Sequence, residues 1–218
     1  MMGDSDIQTH EKMSELKSVL LPFGKTIYQS SSSISSDTAF LIDTILSNHE
    51  NGNFGVLELG SGNGIVSIML AHYRPRWNCV GIEIQKHLVK LARQNSALAE
   101  VKAEFHHADI KTFAPEDKSY NLVVSNPPYF PVCSGRTSPD KERALAHHEI
   151  MCSMKDVLAT TSKALSDSGI AYLLYPSTRS SDFVQNIKKV DLIITEQIIS
   201  NKIKKGLVIF KLKKENKV

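Results

Sequence analysis

The sequence has few cysteines and no long apolar run, which narrows the classes of protein it can belong to. Three cysteines occur among 218 residues, Cys79, Cys133 and Cys152. An odd number at wide spacing fits neither a disulfide framework nor a CxxC metal site, so we expect reduced thiols. The apolar runs have strand length and the first residues are polar and acidic, which predicts neither a membrane span nor a secretory signal. We therefore expect a cytoplasmic protein.

A strong excess of charge of either sign is also missing. The net charge is +3, which is compatible with a nucleic-acid partner but does not establish one. The hydrophobic content of 41% and the charged content of 22% are typical of soluble globular proteins and argue against disorder. The length fits one domain with at most a short extension. It leaves the oligomeric state open, with a monomer slightly favoured.

From residue 34 onward, strand-like and helix-like segments alternate, which predicts a mostly parallel sheet with helices on both faces. Two strand-like runs near the carboxyl end are separated by a short segment and should pair antiparallel. We predict a helix capped at Ser36-Asp37 and another that ends near Gly169. Before residue 34 we expect a weakly amphipathic helix within 1–20, then irregular backbone or a short hairpin over 24–36.

A glycine-rich turn follows the first strand of this alternation and opens a helix. Its sequence from Glu58 is Glu-Leu-Gly-Ser-Gly-Asn-Gly. Ile65 stands where a dinucleotide fingerprint needs its last glycine, so a nicotinamide cofactor is disfavoured. A turn of this kind lets a nucleoside lie against bare backbone. The glycines that we predict to contact a cofactor are Gly60, Gly62 and Gly64.

Two acidic residues follow the next two strands, where they can select a nucleoside. Glu83 follows Gly64 by 19 positions and can accept both ribose hydroxyls. Asp109 can accept from an adenine amine, and the backbone N–H of Ile110 can donate to the ring. Each residue alone is as often structural as functional, but their order along the chain favours a cofactor site.

The tetrapeptide Asn126-Pro127-Pro128-Tyr129 comes directly after the apolar run 120–125, which it ends because proline cannot donate to a sheet. The side-chain oxygen of Asn126 and the carbonyl of Pro127 can accept the two N–H groups of a conjugated amine and so localise its lone pair. The ring of Tyr129 offers a stacking surface for a flipped base. The tetrapeptide predicts methylation of a planar nitrogen at the end of this strand.

Together these motifs resemble the class I S-adenosylmethionine-dependent methyltransferases over residues 34–218, with residues 1–33 as an N-terminal extension. The resemblance implies a Rossmann-like, seven-stranded α/β sheet, mostly parallel with an antiparallel C-terminal hairpin. It also implies S-adenosylmethionine as the cofactor, bound by Glu58, the glycine-rich turn, Glu83, Asp109, Ile110 and Asn126.

The residues around the tetrapeptide look like those of bacterial methyltransferases that modify the adenine next to the anticodon of valine tRNA. This likeness adds Pro128, Phe130, Arg136 and Arg143 as candidate substrate contacts and implies a tRNA partner. One difference is His147, where those enzymes tend to carry arginine.

Two other functions stay open at this point. One is N5-methylation of a protein glutamine in release factors, which uses the same tetrapeptide, and the other is RNA binding without catalysis. We expect no metal, because adjacent histidines at 106–107 and 147–148 point apart and no HExxH or CxxC partner is present.

Overall fold

A computed structural model describes residues 16–29, 34–115, 120–127, 152–200 and 206–215 of the chain. Nine strands lie in these ranges: β1 (Lys17–Leu20), β2 (Thr26–Gln29), β3 (Gly55–Leu59), β4 (Asn78–Glu83), β5 (Ala103–His107), β6 (Tyr120–Ser125), β7 (Leu165–Pro176), β8 (Leu192–Ile199) and β9 (Leu207–Lys214). Five α-helices accompany them there: α1 (Ser36–Asn48), α2 (Ile65–Tyr73), α3 (Lys86–Leu98), α4 (Met154–Ala164) and α5 (Ser180–Ile187).

Seven of the strands form one sheet in the order β5-β4-β3-β6-β7-β9-β8. The pairs from β5 to β7 are parallel, and β9 is antiparallel to both β7 and β8. This confirms the predicted Rossmann-like α/β fold with its C-terminal hairpin. None of the helices in the described part of the chain is long and apolar enough to cross a membrane.

The two faces of the sheet are covered by different helices. One face packs against α1, α2 and α3, and the other packs against α4 and α5. Successive residues of β6 alternate between these two layers, as Leu122 and Val124 face the first and Val123 faces the second. Because β6 is buried on both faces, it reads as a continuous apolar run in the sequence.

The helix before β7 is shorter than predicted. It ends at Ala164, and Leu165 already has extended backbone and pairs with Tyr120 of β6. Ile170 pairs with Leu122, so residues 166–169 bulge out of the ladder. Gly169 therefore belongs to this bulge rather than to a helix end. A Cβ there would lie 2.7 Å from Cδ1 of Leu165, which favours glycine at this position.

The N-terminal segment also differs from the expectation of a helix. Within residues 16–29, β1 and β2 form an antiparallel hairpin in which Val19 and Ile27 enter the core beside α2 and α3. The hairpin lies over 17–29 and not over 24–36, where a short hairpin was one of the two expectations; β2 is the part of it that falls within that range. The first long helix is capped by Ser35, whose Oγ accepts from the N–H of Thr38 at 3.2 Å, one residue before the predicted cap.

Candidate cofactor and active site

Three neighbouring strands, β4, β3 and β6, end in one row. Leu59 pairs with Ile82 on one side and with Ser125 on the other. The Ser125 hydroxyl also donates to the carbonyl of Leu59 at 2.7 Å, which fixes the two strand ends together. The residues that directly follow this row are Glu83, Gly60 and Asn126. The predicted acid, glycine-rich turn and tetrapeptide thus begin on adjacent strands, which are about 4.8 Å apart.

The glycine-rich turn uses its glycines for two different reasons. Gly60, Gly62 and Gly64 all have positive φ, at 74°, 54° and 85°. A Cβ at Gly64 would lie 2.7 Å from Cζ of Phe105, so this glycine also lets α2 approach the sheet. A Cβ at Gly62 would meet nothing within 4 Å, so glycine is favoured there by the positive φ alone and not by lack of space. The backbone at Gly62 is therefore open to a ligand.

Glu83 braces this turn from the neighbouring strand. Its side chain is buried, Oε2 accepts from the N–H of Gly62 at 3.0 Å, and Oε1 accepts from the N–H of Gln85 at 2.9 Å. Each carboxylate oxygen has a further lone pair, which leaves acceptor capacity for a diol. One side chain can therefore fix the turn and contact a ligand.

Glu58 lies in β3 just before the turn, but its described contacts are with α2. Its Oε2 accepts from both the N–H and the hydroxyl of Ser67. Burial raises the pKa of Glu58 to about 8, against which the hydrogen bonds from Ser67 act. The side chain therefore joins β3 to the helix that the glycine-rich turn opens, and direct contact with a cofactor stays a prediction.

Asp109 and Ile110 follow β5 beside the same turn. Oδ1 of Asp109 accepts from the N–H of Lys111 at 2.9 Å, as expected of an acid that caps a turn. The carbonyl of Ile110 accepts from the buried hydroxyl of Thr160 on α4 at 2.7 Å. A Cβ at Gly60 would lie 3.9 Å from Cδ1 of Ile110, so this loop lies next to the glycine-rich turn.

The structure describes the first two residues of the tetrapeptide: Asn126, which is half-buried, and Pro127, which is buried. The other predicted substrate contacts lie outside the described residues: Pro128, Tyr129, Phe130, Arg136 and Arg143. Cys133 and the pair His147 and His148 lie outside them as well.

Three hydroxyl residues that hold the site together were missed in the sequence. They are Ser67, Ser125 and Thr160, and all three are buried. Ser67 carries a signal that could have been found, because it is the one polar residue in the buried stretch Ile-Val-Ser-Ile-Met-Leu-Ala of α2. The partners of Ser125 and Thr160 are 66 and 50 positions away along the chain, so no local pattern reveals them.

The remaining candidates for chemistry have structural surroundings. Within the described ranges, no group of three or more His, Cys, Asp or Glu side chains could hold a metal ion. His107 shares a hydrogen bond with the carbonyl of Ile84 at 2.9 Å. Cys79 is buried, and burial raises the pKa of its thiol to about 12, which makes it an unreactive core residue.

The order of the strands and the glycine-rich turn at the carboxyl end of β3 define a Rossmann-like fold of the methyltransferase type. A TehB-like SAM-dependent methyltransferase from Corynebacterium glutamicum has this fold, with a TM-score of 0.57, 15% identity and 97% of each chain covered. The profile of the methyltransferase small domain family matches residues 27–161. Because this match covers more than half of the chain, the protein belongs to the methyltransferase small domain family.

Curated relatives carry a more specific name. A protein of a Flavobacteriaceae bacterium named tRNA1(Val) (adenine(37)-N6)-methyltransferase is 28% identical over 145 residues, which are 66% of this chain and 60% of that protein. A protein of Vibrio cholerae with the same name is 30% identical over 142 residues, which are 64% of this chain and 58% of that protein. The matched part thus spans little more than half the length of these relatives.

Proposed function

We propose that this protein transfers a methyl group from S-adenosylmethionine to the exocyclic N6 of an adenine in tRNA, next to the anticodon. The observation that carries the proposal is the common row of strand ends, which Glu83, Gly60 and Asn126 directly follow on adjacent strands. A cofactor held by the first two residues would have its reactive methyl group close to the third.

The cofactor contacts follow from the chemistry of each position. Glu83 accepts from the ribose hydroxyls, and the backbone of Gly60, Gly62 and Gly64 lies under the nucleoside. Asp109 accepts from the adenine amine, and the N–H of Ile110 donates to the ring. Supporting observations are the 3.0 Å contact between Glu83 and Gly62 and the proximity of Ile110 to Gly60.

Methyl transfer needs the lone pair of a conjugated amine, which is otherwise delocalised into the ring. The side-chain oxygen of Asn126 and the carbonyl of Pro127 accept the two N–H groups and align this lone pair with the sulfonium methyl. The N–C bond forms as the S–C bond breaks, S-adenosylhomocysteine leaves, and the extra proton on nitrogen passes to solvent. No covalent nucleophile takes part.

The choice of adenine in tRNA as substrate rests on the sequence and on the relatives. Tyr129 and Phe130 would stack on the flipped base beside Pro128, while Arg136 and Arg143 would contact phosphates. The curated relatives named above carry the tRNA adenine activity in their names.

A methylation assay tests the proposal and its same-chemistry rival together. Purified protein is incubated with labelled S-adenosylmethionine and, in parallel, with bulk tRNA from a strain that lacks the gene and with a protein release factor. We expect label in tRNA, located at N6 of an adenine by mass spectrometry. Label in the release factor alone would favour glutamine methylation, and cofactor binding without any transfer would favour a non-catalytic RNA-binding protein.

The variant Asn126→Ala examines the transfer step itself. We expect kcat to fall about 100- to 1000-fold, the effect of removing one preorganised polar contact from a transition state. The Kd for S-adenosylhomocysteine should change much less, because Glu83 and the glycine-rich turn are intact. A kcat equal to that of the wild type would contradict the proposed role of Asn126.

A further inference from the structure

The N-terminal hairpin is bonded to the glycine-rich turn through one buried side chain. Asn95 of α3 is fully buried, and its Oδ1 accepts from the N–H of Tyr28 at 2.8 Å. Its Nδ2 donates to the carbonyl of Tyr28 at 2.9 Å and to the carbonyl of Asn63 at 3.0 Å. Asn95 therefore joins strand β2 to the turn, and both of its amide hydrogens are used.

Further contacts fix the hairpin relative to the turn. The side chain of Asn63 donates to Oε1 of Gln29 at 2.9 Å. At the other end of the hairpin, Phe23 stacks on His72 of α2 with a centroid distance of 3.6 Å. The hairpin is thus anchored on α2 as well as on the turn.

We propose that Asn95 is a positioning residue for the cofactor, and that the hairpin is part of the cofactor site rather than an appendage. A turn with three glycines in positive φ has little conformational preference of its own, so its shape depends on its neighbours. Glu83 supports the turn at Gly62, and Asn95 with Gln29 supports it at Asn63. This inference rests on the proposed use of S-adenosylmethionine.

The test compares Asn95→Ala with Asn121→Ala. Asn121 also bonds to backbone, as its Oδ1 accepts from the N–H of Gly55 at 2.8 Å, but at the amino end of β3 and β6. We expect both variants to unfold at lower urea concentration. Only Asn95→Ala should raise the Kd for S-adenosylhomocysteine, measured by calorimetry. We expect an increase of about tenfold, which is the size of the affinity loss when a residue that supports a metal ligand is removed.

Steady-state kinetics and a milder variant complete this test. Asn95→Ala should raise the KM for S-adenosylmethionine and leave kcat at saturation nearly unchanged, which a general loss of stability would not do. Gln29→Met removes the bond to Asn63 and should also raise the Kd for S-adenosylhomocysteine. This milder variant keeps the test possible if Asn95→Ala fails to fold. Wild-type Kd in the folded variants would overturn the inference, whereas a wild-type protein that binds no S-adenosylhomocysteine would overturn the proposed function instead.

A shallow groove of about 520 Å³ lies on the outer surface of α3, and four of the seven residues that line it are basic. We refer to it as the α3 groove; its basic residues are Lys86, Lys90, Arg93 and His107, and Val89, Gln94 and Ala97 complete it. Over its whole length α3 has three Lys or Arg residues and no acid. For Lys86, in the first turn of α3, helix stability does not explain the charge, because a cation near a helix N-terminus opposes the helix dipole.

The basic groups of the α3 groove are of two kinds. The guanidinium of Arg93 donates to the carbonyl of Phe105 at 2.6 and 2.8 Å, and His107 is held by the carbonyl of Ile84. Lys86 and Lys90 are exposed, and neither forms an ion pair with any residue in the described ranges. Arg93 and His107 are thus fixed in position, whereas Lys86 and Lys90 can adjust to a partner. This combination is suited to contacts with successive phosphates of a nucleic acid.

We infer that the α3 groove binds the phosphate backbone of the RNA whose adenine is methylated, which again rests on the proposed function. Lys86 and His107 lie at the carboxyl edge of the sheet, where β4 and β5 end. Three inter-strand spacings, about 14 Å, separate β5 from the strand that carries Asn126. One folded RNA can span that distance.

Charge reversal at two edges of the sheet tests this surface. The double variant Lys86→Glu/Lys90→Glu is compared with Lys188→Glu/Lys189→Glu, which makes the same change in net charge at exposed residues after α5, near the opposite edge. We expect the first variant to raise the Kd for tRNA about tenfold and to reduce the slope of log Kd against log salt by about two.

Controls separate this inference from the proposed function. The Kd for S-adenosylhomocysteine should stay at the wild-type value in both double variants. Equal tRNA affinities in the two variants would overturn the role of the α3 groove. The binding measurement does not depend on catalysis. Absence of methyl transfer by the wild type would instead overturn the proposed function, so the two failures can be told apart.

Discussion

The two halves of the sheet bury different kinds of group. In the half made of β5, β4 and β3, the buried acids Glu58 and Glu83 bond to backbone at the glycine-rich turn and the helix behind it. In the half made of β7, β9 and β8, the core contains stacked rings, with Phe183 lying 3.8 Å from Phe210 at an interplanar angle of 7°. Burying a polar group is costly unless it is bonded, so we expect the first half to form the site and the second to serve as a scaffold.

Phe183→Ala should produce the largest effect on stability and should leave the proposed cofactor site intact. Phe183 is fully buried between Phe210 and Tyr175. Its truncation should lower the free energy of unfolding by about 3–5 kcal/mol, measured by urea denaturation. The Kd for S-adenosylhomocysteine of the folded variant should equal that of the wild type. A raised Kd would break the distinction between site and scaffold.

Glu58→Gln should change the dependence of stability on pH. Burial raises the pKa of Glu58 from its ordinary 4.5 to about 8, so between these values the folded state binds an extra proton. The free energy of unfolding therefore falls as pH rises through this window. The variant lacks this slope and should gain on the order of 4 kcal/mol relative to the wild type between the two ends of the window. Parallel pH profiles from urea titrations would show that Glu58 does not titrate there.

Glu83→Gln should weaken cofactor binding more than it weakens the fold. An amide cannot accept from both backbone donors, Gly62 and Gln85, while also accepting from a diol. Loss of hydrogen bonds to a charged group predicts a Kd for S-adenosylhomocysteine about 10 to 100 times higher. The exposed Glu104 on β5 provides the control, and Glu104→Gln should bind like the wild type. Similar Kd values in the two variants would remove Glu83 from the site.

Ser61→Ala should have the smallest effect, with the opposite sign. The Ser61 hydroxyl is buried in the glycine-rich turn and has no hydrogen-bond partner among the residues the structure describes. Removing an unpaired polar group should raise the free energy of unfolding by about 1 kcal/mol, visible as a higher melting temperature. A lower melting temperature would mean that this hydroxyl is bonded in solution.

Strands and turns with strong local signals were predictable from the sequence. The run 120–125 became strand β6 with the predicted bounds, because it is apolar throughout and two prolines end it. The C-terminal hairpin was predicted from the short segment between two apolar runs. The glycine-rich turn was recognisable because positive φ restricts the choice of residue.

Features that depend on partners far along the chain were not predictable. Leu165 continues the apolar pattern of α4, yet its pairing with Tyr120 places it in a strand. Leu20 fitted a helical spacing near the N-terminus, whereas the structure has strand β1 paired with β2 there. Asn95 is one polar residue on an amphipathic helix, and its partner Tyr28 is 67 positions away. The boundary of an extension at residue 33 stays a prediction, although β1 and β2 pack into the common core.

The hydrogen bond between Ser125 and Leu59 has a consequence for how such an enzyme could diversify. Together with the backbone ladder, it joins the glycine-rich turn to Asn126, so the distance between the proposed methyl donor and acceptor would be set by the spacing of two strands. The residues after Pro127 can then change to suit a different acceptor molecule without altering that distance. Substrate choice could in this way change during evolution while the reaction geometry stays the same.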